Sequence, residues 1–592
     1  MVVLGVEESV RRMRWVLDST SDKMVNYFIQ KYEFPEILAR ILVARGLDEQ
    51  TIDSFLSPTL KDNLPDPYIL KDAQKVAARI ADSIERGEKI GIMGDYDVDG
   101  ATSSALLKLF LKTIGVPVRV FIPDRDDGYG PNAEQMQKFY DDGIRLIATV
   151  DCGMTAFEPI DFGTKLGMDI VIIDHHEPEK VLPNAYGVVN PKRLDEDKNN
   201  PCHFMAAVGV VFLVVVAINR ILRERGFYQT HKEPDLKEWL DLVAFGTICD
   251  VVPLSGVNRL FVKSGLKKIH QQHNLGLKTL SEVAQVSQRI DSYHLGYILG
   301  PRINAGGRVG KSALGMQLLS TSDDVEARQI AEELEDLNIL RRSIEAEVLE
   351  QATEQAEESI RKGLPYLLVK GVDWHQGVVG IVAGRLKERY NLPTFVLSID
   401  KEGDDVKGSS RSVVGVDLGA LVIKATQEGI LYRGGGHPMA AGFSLRRDKL
   451  DDFDAFLSRM IKEKSEKEKM VCPDYPISGV IDLSAATPDL LDKISVLEPY
   501  GEGNPEPRFA LKNVMISKTI LTKNGHIICK LTNMGGATLD AISFRAQETE
   551  IGKQLLLPQR GKSYHMAGFL RLDTWNGKNK VQLLIDDIAL AS

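Results

Sequence analysis

Cysteine is scarce in this 592-residue chain, and the five present (Cys152, Cys202, Cys249, Cys472 and Cys529) form no CxxC pair. That excludes a disulfide framework or a zinc ribbon and fits a reducing cytosol. A basic excess is missing too: 73 Lys and Arg against 83 Asp and Glu give a formal net charge of −10. An acidic total excludes a general coat for nucleic acid but leaves room for a local basic groove. The longest apolar run, Ala206 to Ile218, has 13 residues. A membrane span needs about 20, so a buried core helix is expected there and no membrane partner. At the start, Met1-Val-Val-Leu-Gly-Val-Glu-Glu sets acids directly after a short apolar stretch, which opposes a signal peptide. No internal repeat is visible. The remaining composition, 43% hydrophobic and 26% charged, is that of a soluble chain. At roughly 100–200 residues per domain it supports about three to five domains.

What is present is a regular alternation. After an irregular helical lead ended by Pro58, Pro65 and Pro67, a helix is expected from Ile69 to Arg86, stopped at Gly87. Strands are expected at Lys89 to Met93, Val116 to Ile122, Ile144 to Val150 and Asp169 to Ile173. Helices at Ala101 to Ile114, Asn132 to Asp142 and Phe157 to Leu166 separate them. Such alternation predicts an α/β fold with a parallel sheet covered on both faces. Residues 316–362 contain no Gly or Pro, and Ile330, Leu334, Leu337, Leu340, Ile344 and Val348 recur at helical spacing, so one long connector helix is expected. A second, smaller α/β lobe holds Gly434-Gly-Gly-His437. The strand-rich end of the chain, with a hairpin turn at Trp575-Asn-Gly, suggests a small β-barrel. The resulting division is a lead (1–67), a first lobe (68–315), the connector (316–362), a second lobe (363–460) and the barrel (461–592).

Acids recur where the apolar runs of the first lobe stop. Asp95, Asp97 and Asp99 follow the first strand, Asp151 the third, and Asp174-His175-His176 the fourth; Asp250 ends a helical run at Gly246-Thr-Ile-Cys. In an open parallel sheet the ligand crevice lies outside the carboxyl ends of the strands. Two metal ions that cleave a phosphodiester need several carboxylate or imidazole ligands and one carboxylate able to bridge. Asp97-Val-Asp99 can feed two neighbouring ions, and the two imidazoles bias such a site toward Mn²⁺ over Mg²⁺. Taken singly, each element has a plainer meaning: Asp-x-Asp is ordinarily a turn or a helix cap, Asp151 a strand-end cap, and His-His a structural pair. Asp250 lies in an apolar stretch, where an unpaired carboxylate costs several kcal/mol, so it needs a cation or a strong partner. Ser409-Ser-Arg411 offers a hydroxyl and a guanidinium two residues apart, a fork for a terminal phosphate. Glycines 434–436 let backbone N–H groups come close to a phosphate, or form a plain loop. Arg302 and Arg308 are either phosphate contacts or salt bridges between lobes, and Trp374-His375 can equally be core.

Gly94-Asp-Tyr-Asp-Val-Asp-Gly-Ala-Thr-Ser, Val150-Asp-Cys-Gly, Ile173-Asp-His-His and Gly246-Thr-Ile-Cys-Asp-Val-Val-Pro-Leu, in that order, resemble the four motifs of the DHH phosphoesterase superfamily. Three more tracts narrow the resemblance to the RecJ single-strand DNA exonucleases. They are Gly300-Pro-Arg-Ile-Asn-Ala-Gly-Gly-Arg, Asp373-Trp-His-Gln-Gly-Val-Val-Gly-Ile-Val-Ala and Gly434-Gly-Gly-His-Pro-Met-Ala-Ala-Gly. The similarity runs from about residue 20 to the end. It implies that Asp97, Asp99, Asp151, His175, His176 and Asp250 bind two Mn²⁺ ions (Mg²⁺ being possible), with Asp151 bridging. Asp95 is a ligand or supports one. It implies Arg125, Ser409 and Arg411 on a 5′ phosphate, and Arg302, Asn304 and Arg308 on the scissile or adjacent phosphates. Gly435, Gly436 and His437 would hold phosphate, with His437 stabilising charge as the bond breaks. The lobes become a DHH catalytic domain and a DHH-associated domain, and the barrel an oligonucleotide-binding (OB) fold, where Tyr500, Phe509, Phe544, Phe569 and above all Trp575 are stacking candidates. Two departures stand out: Met93 replaces a histidine that some relatives carry four residues before Asp97, and Gly306 replaces the usual alanine, a change expected to loosen a turn.

The resemblance therefore implies a cytoplasmic, Mn²⁺-dependent hydrolase. It would degrade single-stranded DNA from the 5′ end to 5′-mononucleotides, without a covalent enzyme intermediate, in DNA repair and recombination. Its partners would be single-stranded DNA, a helicase and a single-strand binding protein, and it is expected to be a monomer. Two alternatives stand beside it: a DHH phosphoesterase for short oligoribonucleotides or cyclic dinucleotides, whose members are shorter and lack the barrel, and a non-catalytic replication scaffold, whose ligand set would be broken.

Overall fold

The computed structural model describes residues 1–124, 130–465, 472–558, 561–573 and 580–591. By compactness the chain forms two units. One joins Pro65–Val252 with Ser264–Met470; the other joins Met1–Leu64, Pro253–Lys263 and Val471–Ser592.

The first unit begins with five parallel strands: β1 (Ile90–Gly94), β2 (Val118–Phe121), β3 (Leu146–Val150), β4 (Asp169–Ile173) and β5 (Gly187–Val189). Their order is β2-β1-β3-β4-β5. β1 and β3 are buried along their whole length, as strands covered on both faces must be. Between them run α1 (Val98–Thr113), α2 (Ala133–Asp141) and α3 (Phe157–Lys165). The expected parallel sheet is therefore present, and the boundary shifts have local causes. The helix after the lead covers Ala73–Glu85 rather than starting at Ile69, because Asp72 at φ 59° breaks the backbone path. α1 begins three residues early because the Asp97 carboxylate caps it, accepting from Gly100 N–H at 3.0 Å. The apolar run at Ala206 is α4 (Ala207–Glu224), a core helix with few exposed positions; among the described residues no helix is long and apolar enough to cross a membrane. α5 (Leu240–Cys249) packs on α1, and Gly246 allows it: a Cβ there would lie 2.4 Å from Thr102 Oγ1.

The Gly300 tract is not a turn, as the reading of Gly306 assumed, but a helix, α6 (Gly300–Val309). Gly306 is needed there for close packing: a Cβ would stand 2.8 Å from the Lys311 carbonyl oxygen. The long helix α7 follows (Asp324–Arg361), with the Asp323 carboxylate accepting from Val325 and Glu326 N–H at its start. A second sheet is built from β6 (Leu367–Val372), α8 (Gln376–Tyr390), β7 (Thr394–Ile399), β8 (Asp405–Arg411), α9 (Leu418–Gln427), β9 (Arg433–His437) and β10 (Ala440–Arg446). Its order is β9-β10-β8-β7-β6, and only β6 and β7 are parallel. The glycine run is thus an edge strand paired to β10 rather than a loop. Trp374 is core, and His375 caps α8, its Nδ1 accepting from Gly377 N–H at 3.0 Å.

In the other unit β11 (Gly479–Ile481) pairs with β12 (Phe509–Leu521). With β13 (Ile527–Thr532), β14 (Thr538–Ser543), β15 (Tyr564–Asp573) and β16 (Lys580–Leu590), β12 forms a barrel closed by its pairing with β15. The helical lead shares this core: Phe28, Leu38 and Leu42 pack in one cluster with Leu511, Ile527 and Leu583. The strand Arg14–Val16 pairs with Asp474–Pro476, and Trp15 Nε1 donates to the buried Asp587 carboxylate at 2.8 Å. Of the barrel aromatics, Phe509 is fully buried and Phe544 is 58% exposed. The turn at Trp575 lies outside the described residues.

Candidate metal centre and phosphate pocket

At the carboxyl ends of β1, β3 and β4 and the end of α5, seven side chains meet. Three overlapping trios have their donor atoms within 4.8 Å of one another: Asp95, Asp97 and Asp151; Asp151, His175 and His176; and Asp99, His175 and Asp250. His175 is the hub. Its Nε2 lies 3.4 Å from Asp151 Oδ1 and 3.8 Å from Asp99 Oδ2, and its Nδ1 3.6 Å from Asp250 Oδ2. His176 Nδ1 is 3.9 Å from Asp151 Oδ1. Asp151 sits at φ 59°, a left-handed conformation that costs a non-glycine residue about 1–3 kcal/mol.

Neighbouring elements fix the ligand atoms. Asp99 is held at the start of α4, where Ala207 and Val208 N–H donate to it at 2.6 and 2.9 Å; a helix N-terminus favours negative charge. His175 Nδ1 lies 3.1 Å from the Met205 carbonyl oxygen. Asp174, which the choice of site residues passed over, is the organiser of the pair. Its buried carboxylate accepts from His175 N–H (2.7 Å) and Met154 N–H (3.2 Å) and meets His176 Nδ1 at 2.7 Å. Its place in the Asp-His-His triplet was the signal that could have found it, since imidazole ligands are usually oriented by a carboxylate on the other ring nitrogen.

The electrostatics of the cluster call for cations. Burial, then the neighbouring carboxylates, pushes Asp99 and Asp151 well above the usual carboxylate range. Burial and Asp97 push Asp95 and Asp250 up to about 7. Burial and the adjacent His176 lower His175 to about 4. For His176 burial works downward, but the bond to Asp174 overrides it and raises the ring to about 9. Asp95 Oδ1 and Asp250 Oδ2 are buried without a hydrogen-bond partner, an expensive state for a carboxylate unless a cation meets it. Oxygen and imidazole donors in this number fit two divalent ions of the Mn²⁺ type.

The second lobe buries charge of the other sign. Ser409 and Arg411 alternate along β8 and so share a face. Arg411 Nη1 donates to Ser410 O at 2.9 Å and reaches Ser409 Oγ at 3.4 Å. Its lowered pKa has burial as its cause, and among the described residues no carboxylate pairs with it. Gly435, Gly436 and His437 lie exposed on β9. The tract residues divide: Arg302 is engaged by Glu335 of α7 and by Ile298 O, Arg308 Nη1 donates to Gly377 O at 2.9 Å, and Asn304 Oδ1 is buried without a hydrogen-bond partner. Arg125 and Trp575 lie outside the described residues.

An acid–histidine cluster at the ends of a parallel sheet, followed by a smaller lobe with a glycine strand, defines the class. The chain matches the models of the DHH family N-terminal domain over residues 89–247, the DHHA1 domain over 363–463 and the RecJ OB domain over 477–587. It is 31% identical over 598 residues to the single-stranded-DNA-specific exonuclease RecJ of Escherichia coli, covering 98% of this chain and 100% of that one. To RecJ of Dickeya dadantii it is 34% identical, with 94% and 96% covered. A crystal structure of RecJ in complex with Mn²⁺ from Thermus thermophilus superposes with TM-score 0.80 at 28% identity, covering 97% of this chain and 79% of that one. The chain belongs to the RecJ family.

Proposed function

We propose that this chain is a metal-dependent exonuclease that degrades single-stranded DNA from the 5′ end and releases 5′-mononucleotides in DNA repair and recombination. One observation carries the reading: Asp95, Asp97, Asp99, Asp151, His175, His176 and Asp250 converge in three overlapping donor trios within a buried, like-charged cluster. These residues would hold two Mn²⁺ ions, with Mg²⁺ as the alternative and Asp151, which belongs to two of the trios, as the bridge. Bound there, two divalent ions would supply Lewis-acid activation of water and neutralisation of charge on the attacking and leaving oxygens. Asp174 holds the His176 ring through Nδ1, and the Met205 carbonyl holds His175 through Nδ1, so that His175 Nε2 faces Asp151 and Asp99. Ser409 and Arg411 would take the 5′ phosphate, with Arg125 as a further cation. Asn304, Arg308, Gly435, Gly436 and His437 would line the path of the backbone, and Trp575 with Phe544 would stack bases. Arg302 has a weaker claim, since Glu335 already engages it.

The five-part division into 1–67, 68–315, 316–362, 363–460 and 461–592 belongs to this proposal; the family matches support its first lobe, second lobe and barrel, while the lead packs into the barrel's core. So do a cytoplasmic location, a monomeric state, and cooperation with a helicase and a single-strand binding protein; an enzyme for unpaired strands needs both a source and a keeper of them. The test is a timed digestion of end-labelled single strands with Mn²⁺ or Mg²⁺. Mononucleotides should leave from the 5′ end, and Asp151→Ala should abolish their release, because the metal pair loses the carboxylate shared by two of the trios. Release from the 3′ end, or equal turnover by the variant, would overturn the assignment.

A further inference from the structure

Two aromatic rings stand exposed on the segment that leads into α6. Tyr293 is 50% exposed and Tyr297 is 74% exposed. The rings stack on each other, with centroids 5.3 Å apart and planes 26° from parallel. Among the described residues this is the one stacked ring pair with both members exposed.

The mount of the pair is firm. His294–Leu299 is π-helical and runs directly into α6; wide turns of this kind recur at functional sites. Its start is tied by Asp291, whose carboxylate accepts from His294 N–H at 3.0 Å. Its inner face is filled by Leu295 and Leu299, both fully buried. Cys249 Sγ donates to Leu295 O at 3.5 Å, and a Cβ on Gly300 would meet the same sulfur at 2.6 Å. Cys249 is the last residue of α5, and the next residue is Asp250. The backbone that carries the tyrosines therefore packs on the helix end that carries a carboxylate of the metal centre. A ring pair at this spacing adds little to a helix, so local stability does not explain two large rings left in water.

We propose that Tyr293 and Tyr297 form a stacking platform for bases of the single strand that feeds the metal centre. The inference rests on the exonuclease reading above. The residue type favours a base: a tyrosine offers its ring face while its hydroxyl stays in water. The surroundings favour it too. Asp291, Ser292 and His294 are polar, so the rings are not the centre of an aliphatic patch that a protein partner would cover. Continuity is the third argument. The same helical run carries Asn304, whose Oδ1 is buried without a hydrogen-bond partner, and a strand whose backbone follows α6 has its bases free to lie on the turn before it. Stacking accepts every base, because each has a π-face, so the grip suits an enzyme that removes nucleotides one after another.

The test uses the full-length chain with Mn²⁺ and a long 5′-phosphorylated single strand. Replacing both residues, Tyr293→Ala with Tyr297→Ala, should raise KM about tenfold, and Tyr293→Phe with Tyr297→Phe should keep the wild-type KM, since the ring face and not the hydroxyl is used. A strand with an abasic tract should have the same KM in wild type and in the double alanine variant. In the Asp151→Ala background, where the strand stays whole, 5-iododeoxyuridine placed at successive positions should crosslink under ultraviolet light to Tyr293 or Tyr297. An unchanged KM, a rise that the abasic strand shows equally or that phenylalanine also causes, or the lack of any crosslink to these tyrosines overturns this inference and leaves the exonuclease reading standing. A wild type that leaves the strand intact overturns the exonuclease reading and this inference with it.

Discussion

Two regions of the same unit bury ionisable groups, and they do so with opposite signs. At the ends of β1, β3 and β4, buried carboxylates crowd together and are pushed toward their protonated forms. On β8, Arg411 is partly buried, bonded to a serine hydroxyl and a backbone carbonyl, and pushed toward deprotonation. The contrast lies in how each is kept. The acids need an elaborate scaffold: the α4 amides on Asp99, Asp174 behind His176, and a left-handed Asp151. The arginine needs only the alternation of a strand. A cluster of like charges costs more than one isolated charge, so more of the fold is spent in holding it. One place asks for cations and the other for an anion, the two requirements of metal-assisted phosphodiester cleavage.

This contrast can be broken from either side. The largest effect after loss of Asp151 is expected at Asp174. Asp174→Ala should lower activity and Mn²⁺ affinity together by about 10- to 100-fold, as removal of an orienting carboxylate does. Metal titration by calorimetry with parallel kinetics checks it, and unchanged Mn²⁺ affinity would deny Asp174 its organising role. Arg411→Ala should reduce the preference for a 5′-phosphorylated over a 5′-hydroxyl strand by about tenfold, the loss of one charge-assisted bond. Metal binding should stay as it was; an unaltered preference would remove Arg411 from the pocket.

The smallest effect is on stability and follows from the acid cluster alone. Asp95 and Asp250 sit near 7 against 3.8 for the free group, and His176 near 9 against 6.5. In each case the folded state binds more protons than the unfolded chain across those intervals, so stability falls as pH rises through them. His175, lowered to about 4, acts in the opposite direction only below pH 6.5. Chelated protein should therefore lose on the order of 5 °C in Tm between about pH 6.5 and 9, and saturating Mn²⁺ should flatten the slope. A metal-free Tm that rises across this range would show that the carboxylates are not crowded as described.

Much of this was legible in the chain. Apolar runs of five residues ending in acids announce buried parallel strands, and the crevice at their ends follows from topology. The helix caps were less visible: Asp97 caps α1 while also belonging to a donor trio, and periodicity cannot show a residue with two tasks. Gly306 was misread as a loosened turn because a glycine tract in sequence looks the same whether the chain bends or packs tightly. Glycines 434–436 became an edge strand for a related reason: their pairing is decided by β10, which lies later in the chain. The lead's place in the barrel's core was invisible, since Phe28 and Leu511 are separated by most of the chain.

The sequence by itself determined the strand-and-helix alternation, the donor types and the order of the motifs, because local hydrophobic pattern and residue chemistry need no partner to be read. Only the tertiary structure decided that His175 faces Asp99, Asp151 and Asp250 at once. Those juxtapositions depend on how α4 and α5 pack, and packing is a property of surfaces far apart along the chain.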